Sequence, residues 1–252
     1  MPLKQAALGS NQLLNLLQKQ NRVHFIDNCE VVSLDLNDVI IEAGDIIQYI
    51  YFPIEGIVSW EKKIADSPYL VITLISNEGV LFPTVMLAEL HTPCRAVVQK
   101  AGFALRISVD DFMVQIARQP QLSLLLKRYI FVMYNELLQT AACNLYHVLE
   151  SRLAKLLLSF QDKSQSDNLH ITQELLAQML GVRRVGVTKA AGALQDLQLI
   201  SYSRGNMIIH NHHGLKTVSC LCYEANIEAY TQFLKAPNAL FKDAPDVDEV
   251  LI

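Results

Sequence analysis

The chain is short of several things, and each shortage excludes a class of protein. No run of about 18 apolar residues passes without a charge, which excludes an ordinary membrane-spanning helix. Only 18% of the 252 residues are charged while 51% are hydrophobic, so the chain can fill a core and is not of the disordered class. Its five cysteines, at 29, 94, 143, 220 and 222, are odd in number and make no paired framework. Free thiols in a reducing cytoplasm fit that pattern better than a disulfide scaffold. Basic charge is not in excess either. The 21 Lys and Arg face 25 Asp and Glu, a net charge of −4, so a nucleic-acid partner would have to be met by a local patch. Catalytic signatures are also missing: there is no G-x-S-x-G elbow, Walker A loop, G-x-G-x-x-G or H-E-x-x-H. The adjacent Asp110 and Asp111 are most simply the acidic first turn of a helix. The sequence reads as non-enzymatic.

What is present falls into blocks. The opening "MPLKQAALGSNQLLNLLQKQN" has no continuous apolar core and no cleavage site, and reads as an amphipathic helix rather than a signal peptide. From Val31 to Ile107, runs such as "NDVIIEAGDIIQYIYF", "GIVSW", "LVITLIS" and "RAVVQ" are rich in Val, Ile and Tyr. Turn signals at Gly44-Asp45, Pro53, Gly56, Ser67-Pro68 and Gly79 separate them, which predicts an antiparallel sandwich or barrel. Past Pro120, well placed in a first helical turn, some forty residues contain neither glycine nor proline. Leu122, Leu126, Tyr129, Met133 and Leu137 recur at helical spacing, and Leu125, Ile130 and Phe131 occupy another face. A helix apolar on two sides needs two surfaces. A dimer helix meeting its own copy answers that need, and burial within one subunit is the alternative. "QDKSQSDN" at 161–168 reads as a polar loop, and the tail from Pro237 is acidic and peripheral.

The chemistry is concentrated in "MLGVRRVGVTKAAGAL" at 179–194. Segments 172–180 and about 184–198 read as two helices, with Thr172 capping the first and Glu174 in its first turn. Ala177, Gly181 and Val187 stand at the spacing a helix-turn-helix needs. The Ala permits a close crossing, the Gly takes a left-handed turn, and the Val fills the angle together with Leu176, Leu180 and Ala190. The exposed mouth of the second helix offers Arg183, Arg184, Val185, Thr188 and Lys189. It has no Ser, Thr, Asp or Asn as a cap, so its free N–H groups and dipole are available to a phosphate, and its arginines to base edges. From Thr172 to Lys216 five basic residues face two acids, a positive patch in an acidic chain. "SYSRGNMIIH" then fits a hairpin wing with Arg204 at its tip, a common phosphate contact.

With these residues in place, the chain resembles the Crp–Fnr superfamily of bacterial transcription regulators. "ITQELLAQMLGVRRVGVTKAAGALQDLQLIS" is similar to that family's helix-turn-helix without gaps, and "AGDIIQYIYFPIEGIVS" and "CRAVVQ" resemble parts of its β-roll. The resemblance runs from about Asn11 to Ala236. It implies an α+β fold: an N-terminal antiparallel, jelly-roll-like β-roll, a long dimerisation helix and a C-terminal winged helix-turn-helix. The division it implies is a sensor domain over 1–115, the long helix over 116–145, the DNA-binding domain over 146–236 and an acidic tail over 237–252. A cytoplasmic homodimer on two-fold symmetric DNA follows, with RNA polymerase as a further partner. Two departures are visible. Val185 and Lys189 stand where cyclic-AMP-responsive members read bases with glutamate and arginine, which implies a different operator. Arg95 has Val85 ten residues before it and Ala96 after it, so a pocket built on Glu78, Arg95 and Ala96 implies an unknown small-molecule effector other than cyclic AMP. Only Cys29 lies in the first ninety residues, so the family's iron–sulfur cluster is not expected, and neither His24 nor His91 sits in a haem motif.

Two further clusters read as structural. "HNHH" at 210–213 is a polar turn after a strand rather than a metal site. Cys220 and Cys222, two apart, would point to different faces of a helix and serve packing. The competing functional reading is a non-enzymatic small-molecule or protein-binding module whose winged helix no longer reads DNA.

Overall fold

The computed structural model describes residues 9–203 and 205–235; Arg204, the acidic tail and the first eight residues lie outside them. Five strands form the N-terminal antiparallel sheet: β1 (Glu30–Leu34), β2 (Val39–Ile41), β3 (Tyr49–Lys62), β4 (Leu70–Ile75) and β5 (Arg95–Ser108). Their order is β1-β5-β3-β4, with β2 also on β5. The long pair β3 and β5 shifts register repeatedly between Pro53 and Val58, and such bulges curl a sheet over its own core. A Cβ at Gly102 would collide with the backbone of Glu55 and Gly56, so the two strands approach there more closely than a side chain allows. Inside the roll, Phe25, Phe52, Phe82 and Phe112 are fully buried, and the Phe25 and Phe52 rings meet edge to face at 5.2 Å.

The N-terminal segment departs from the amphipathic helix expected of it. A short 3₁₀ turn at Leu14–Leu16 precedes α1 (Lys19–Asp27). The reason is Asn11: its buried amide donates to the carbonyls of Pro53 and Gly79, 2.9 Å each, and its Oδ1 accepts from the Leu14 N–H. That anchoring fixes a route on which Leu13, Leu14 and Leu17 enter the roll.

After the roll come α2 (Val109–Arg118), α3 (Pro120–Tyr146) and α4 (Leu149–Ser164). Ser108 caps α2 by accepting from the Asp111 N–H, and Asp110 and Asp111 occupy its first turn as expected. The forty-residue helical run is broken at His147, whose backbone is extended, without a glycine or proline to signal it. Leu122, Leu126 and Tyr129 are buried as read, but so is Leu125, whereas Leu137 is 41% exposed. Part of the second apolar face of α3 is covered by the chain itself. The last helix, α8 (Cys222–Lys235), packs along it and sets Phe233 edge to face on Phe131 at 4.8 Å. The polar stretch expected as a loop from 161 is helical to Ser164, because its side chains have partners: Tyr223 donates to Asp162 at 2.8 Å and Lys163 pairs with Glu78.

The C-terminal part holds β6 (Asn168–His170), α5 (Gln173–Leu180), α6 (Arg184–Asp196), β7 (Ile200–Ser203), β8 (Asn206–Ile209) and α7 (His212–Val218). The expected strand pair gains a third member in β6, giving the order β6-β8-β7. "HNHH" is more than a turn: Asn211 caps α7, accepting from the Gly214 N–H at 2.8 Å. Helices α4, α5 and α6 enclose a second core with Leu157, Leu176, Val187 and Leu194 at its centre. Ile57, Val71 and Leu74 of the roll belong to that same cluster, so the roll and the helix-turn-helix share apolar contacts. No helix among the described residues is long and apolar enough to cross a membrane.

Candidate nucleic-acid interface

Two helices and a hairpin build the candidate surface. Thr172 caps α5, its hydroxyl accepting from the Leu175 N–H at 3.1 Å, and Glu174 lies in the first turn. Gly181 ends α5 at φ +64°, a left-handed conformation with no steric cost for glycine. Helix α6 starts three residues later. Buried Leu176, Ala177, Leu180, Val187 and Ala190 lie between the two helices and leave the opposite side of α6 in solvent. Arg183, Arg184, Val185, Thr188 and Lys189 are all on that exposed side. Arg183 begins the helix with no side-chain capping bond, and no acid follows in the first turn. The mouth therefore carries two guanidinium groups and an uncompensated positive helix end, a field that attracts an anion.

Gln173, to which the sequence draws no attention, organises this face. Its Oε1 accepts from the Thr188 hydroxyl at 2.9 Å and from Arg184 Nε at 3.4 Å, holding both on the exposed face. Its backbone N–H donates to the Tyr202 hydroxyl at 3.1 Å, which ties the wing strand β7 to α5. Thr172, Gln173, Glu174, Arg184, Tyr202 and Gly205 line one open concavity between helix mouth and wing. A glutamine at the first helical position carries no sequence signal for this role; only the crossing of α5 and α6 brings it to Arg184.

Residues 151–218 match the family model of the Crp-like helix-turn-helix domain. Among solved structures, FixK2 from Bradyrhizobium japonicum superposes with a TM-score of 0.67 at 12% identity, over 76% of this chain and 98% of FixK2. CLP, the c-di-GMP-responsive global regulator of Xanthomonas campestris, gives 0.65 at 12% identity, over 77% of this chain and all of CLP (100%). A Crp/Fnr-family transcriptional regulator from Thermus thermophilus gives 0.58 at 20% identity, over 75% and 98%. The chain has the Crp/Fnr fold and carries a Crp-like helix-turn-helix domain over residues 151–218. No curated protein sequence matches it.

In this Crp/Fnr fold the three residues expected to share an effector pocket are separated. Arg95 is spent within the roll: it pairs with buried Glu61 at 2.6 Å and its guanidinium lies 3.3 Å from the Tyr69 ring centre. Ser59 and Gln99 complete that network by donating to Glu61 at 2.8 and 3.1 Å. Ala96 is fully buried in the roll core. Glu78 faces the other way, toward the Crp-like domain, and pairs with Lys163 of α4. Glu61, on the neighbouring β3, claims the arginine, a pairing between strands that spacing along one strand does not report.

Glu78 and Lys163 border a cavity of about 430 Å³ that is also lined by Tyr129 and Glu136 of α3 and by Tyr230 of α8. Tyr230 donates its hydroxyl proton to the Glu78 carbonyl at 2.6 Å. Burial alone would lower the Lys163 ammonium, but the Glu78 and Glu136 carboxylates outweigh it and raise its pKa. Burial raises the Glu136 carboxyl, offset in part by Lys163 and reinforced by Glu78. A carboxyl whose folded pKa is raised costs stability once pH exceeds its unfolded value of about 4.3, and the penalty is complete above the folded pKa. Glu136→Gln should therefore raise the melting temperature at pH 7, and the gain should vanish in melts run below about pH 4. An equal gain at both pH values would refute the assignment.

Proposed function

We propose that the chain is a homodimeric, sequence-specific DNA-binding regulator of transcription that works in the cytoplasm and whose β-roll answers to a small effector other than cyclic AMP. The observation that carries this reading is the exposed, uncapped mouth of α6 with Arg183, Arg184, Thr188 and Lys189 on a Crp-like helix-turn-helix. A recognition helix presents its N-terminal residues to base edges in the major groove, while wing and helix mouth engage phosphate. RNA polymerase would be the further partner of such a regulator.

The dimer is supported by α3. Beyond the part covered by α8, Tyr134, Leu138 and Leu145 are 56%, 52% and 81% exposed, and with exposed Ala141 they follow steps of three and four along one stripe. Such a seam suits a second copy of the same helix. The cavity at Glu78 touches the roll, the long helix, α4 and α8 at once, so an effector seated there would contact all four. The competing reading, a binding module without DNA contacts, has no structural observation in its favour.

The test is selection of genomic fragments by the full-length protein at about 0.15 M salt, where non-specific phosphate binding is weak. A two-fold symmetric motif is expected, with half-sites about 10 bp apart centre to centre or a multiple of that. No enrichment, with or without cell extract to supply the effector, would favour the binding module. Leu138→Glu should turn the dimer into a monomer in sedimentation analysis and abolish selection of the full symmetric site. A monomeric wild type would remove the seam from the argument.

A further inference from the structure

Away from the DNA-facing surface, three thiols and an imidazole converge where the long helix ends. Cys143 lies in the last turn of α3, and His147, just past its end, donates its backbone N–H to the Cys143 carbonyl at 3.1 Å, which keeps the two residues together. Cys220 and Cys222 flank Leu221 in the turn between α7 and α8. Leu221 is 79% exposed, whereas Cys220 and Cys222 are both buried. The expectation that these two cysteines point apart fails because Cys220 precedes the helix that Cys222 opens. The sulfurs of Cys143 and Cys220 are 3.5 Å apart, and Cys222 Sγ is 3.4 Å from His147 Nδ1. All four donor atoms lie within 4.8 Å of one another.

Ligands at about 2.3 Å for sulfur and 2.0–2.1 Å for nitrogen around one tetrahedral ion stand roughly 3.5–3.8 Å from each other. The Cys143–Cys220 and Cys222–His147 separations, 3.5 and 3.4 Å, are close to that size, and the other pairs lie within 4.8 Å. The ligands of an iron–sulfur cluster are divided among two or four irons and span a wider shell, so four donor atoms within 4.8 Å of one another fit a single ion. We propose that Cys143, His147, Cys220 and Cys222 form a Cys₃His site for one zinc-class divalent cation. Three Cys–SH groups release three protons to solvent and the neutral imidazole binds through Nδ1, with no change of oxidation state. The surroundings complete a second layer. Gln139 Nε2 donates to Cys222 Sγ at 3.0 Å, which orients that ligand. Lys155 lines the same small cavity as Cys143, where it opposes the single net negative charge of a divalent ion with three thiolates. The ion would bolt the end of α3 to the start of α8, the two chain positions that bracket the Crp-like domain, so its occupancy would fix how that domain hangs from the dimer helix.

The experiment uses the full chain, kept reduced under anaerobic conditions, stripped with a chelator and titrated with Co(II) and then Zn(II). One equivalent of Co(II) should bind with the visible bands of a tetrahedral site and a sulfur-to-cobalt charge-transfer band, and one equivalent of Zn(II) should bleach both. His147→Ala changes an exposed side chain and should fold; it should weaken Co(II) binding about tenfold or more while keeping the charge-transfer band. Cys222→Ser should reduce that band. Reduced protein that takes up no Co(II) would overturn the proposal, as would a spectrum without sulfur charge transfer or binding indifferent to both variants. A Cys143–Cys220 disulfide in the isolated protein that, once reduced, still leaves no metal binding would replace the metal site with a redox pair.

Discussion

Arg184→Ala should weaken binding of the selected operator by about 5- to 150-fold, the equivalent of ~1–3 kcal/mol for one bidentate base contact, and relax preference at one base position in each half-site. The guanidinium is exposed at the start of α6 and makes no ion pair among the described residues, so its loss should leave stability close to wild type. Fluorescence anisotropy against the operator and against a scrambled duplex separates the two effects. A fall on the operator alone identifies a base reader. Equal falls on both duplexes, with a salt slope reduced by about one, would make Arg184 a phosphate contact instead.

Lys163→Met should destabilise the fold by about 2–3 kcal/mol, somewhat below the roughly 3–5 kcal/mol of breaking a fully buried pair, because both partners keep a little solvent. Their side chains are 16% and 20% exposed. For a chain of this size that is a melting-temperature drop of about 4–12 °C. The cost arises because the Glu78 carboxyl would be left in the cavity beside Glu136 without its cationic partner. A lysine with a raised folded pKa contributes stability that is complete below its unfolded pKa of about 10.4 and is lost as pH rises through the folded value. The difference between variant and wild type should therefore persist from pH 7 to about pH 10 and close only above that. Glu78→Gln added to Lys163→Met should recover most of the loss. A single variant as stable as wild type would show that the pair contributes nothing.

The sequence made the DNA-facing side legible because its signals are local. A cap at Thr172, a left-handed glycine at 181 and apolar residues at helical steps define the α5–α6 angle without reference to the rest of the chain. The strand runs of the roll were legible for the same reason, through β-branched density between turns. What escaped reading depends on contacts between distant segments. Arg95 was assigned to an effector, but Glu61 lies 34 residues earlier on a neighbouring strand. Gln173 reaches Arg184 only because two helices cross. Cys143 and Cys220 are 77 residues apart, and no periodicity along either segment reports that they meet. The break at His147 was hidden too, since none of the residues around it is a helix breaker.

The apolar cluster that Ile57, Val71 and Leu74 share with α5 has a bearing on modularity. Strand β4 covers Met179 and Leu180, and Leu70 approaches the turn glycine at 181. A reader excised at residue 148 would expose that patch to water, and a sensor excised there would lose the cover over its own strand. Chimeras that graft this reader onto a foreign sensor should therefore aggregate unless the surface of β4 travels with the graft. In engineering terms the unit of exchange is the Crp-like domain plus one strand of the roll, and the seam lies inside the roll rather than at the end of the long helix.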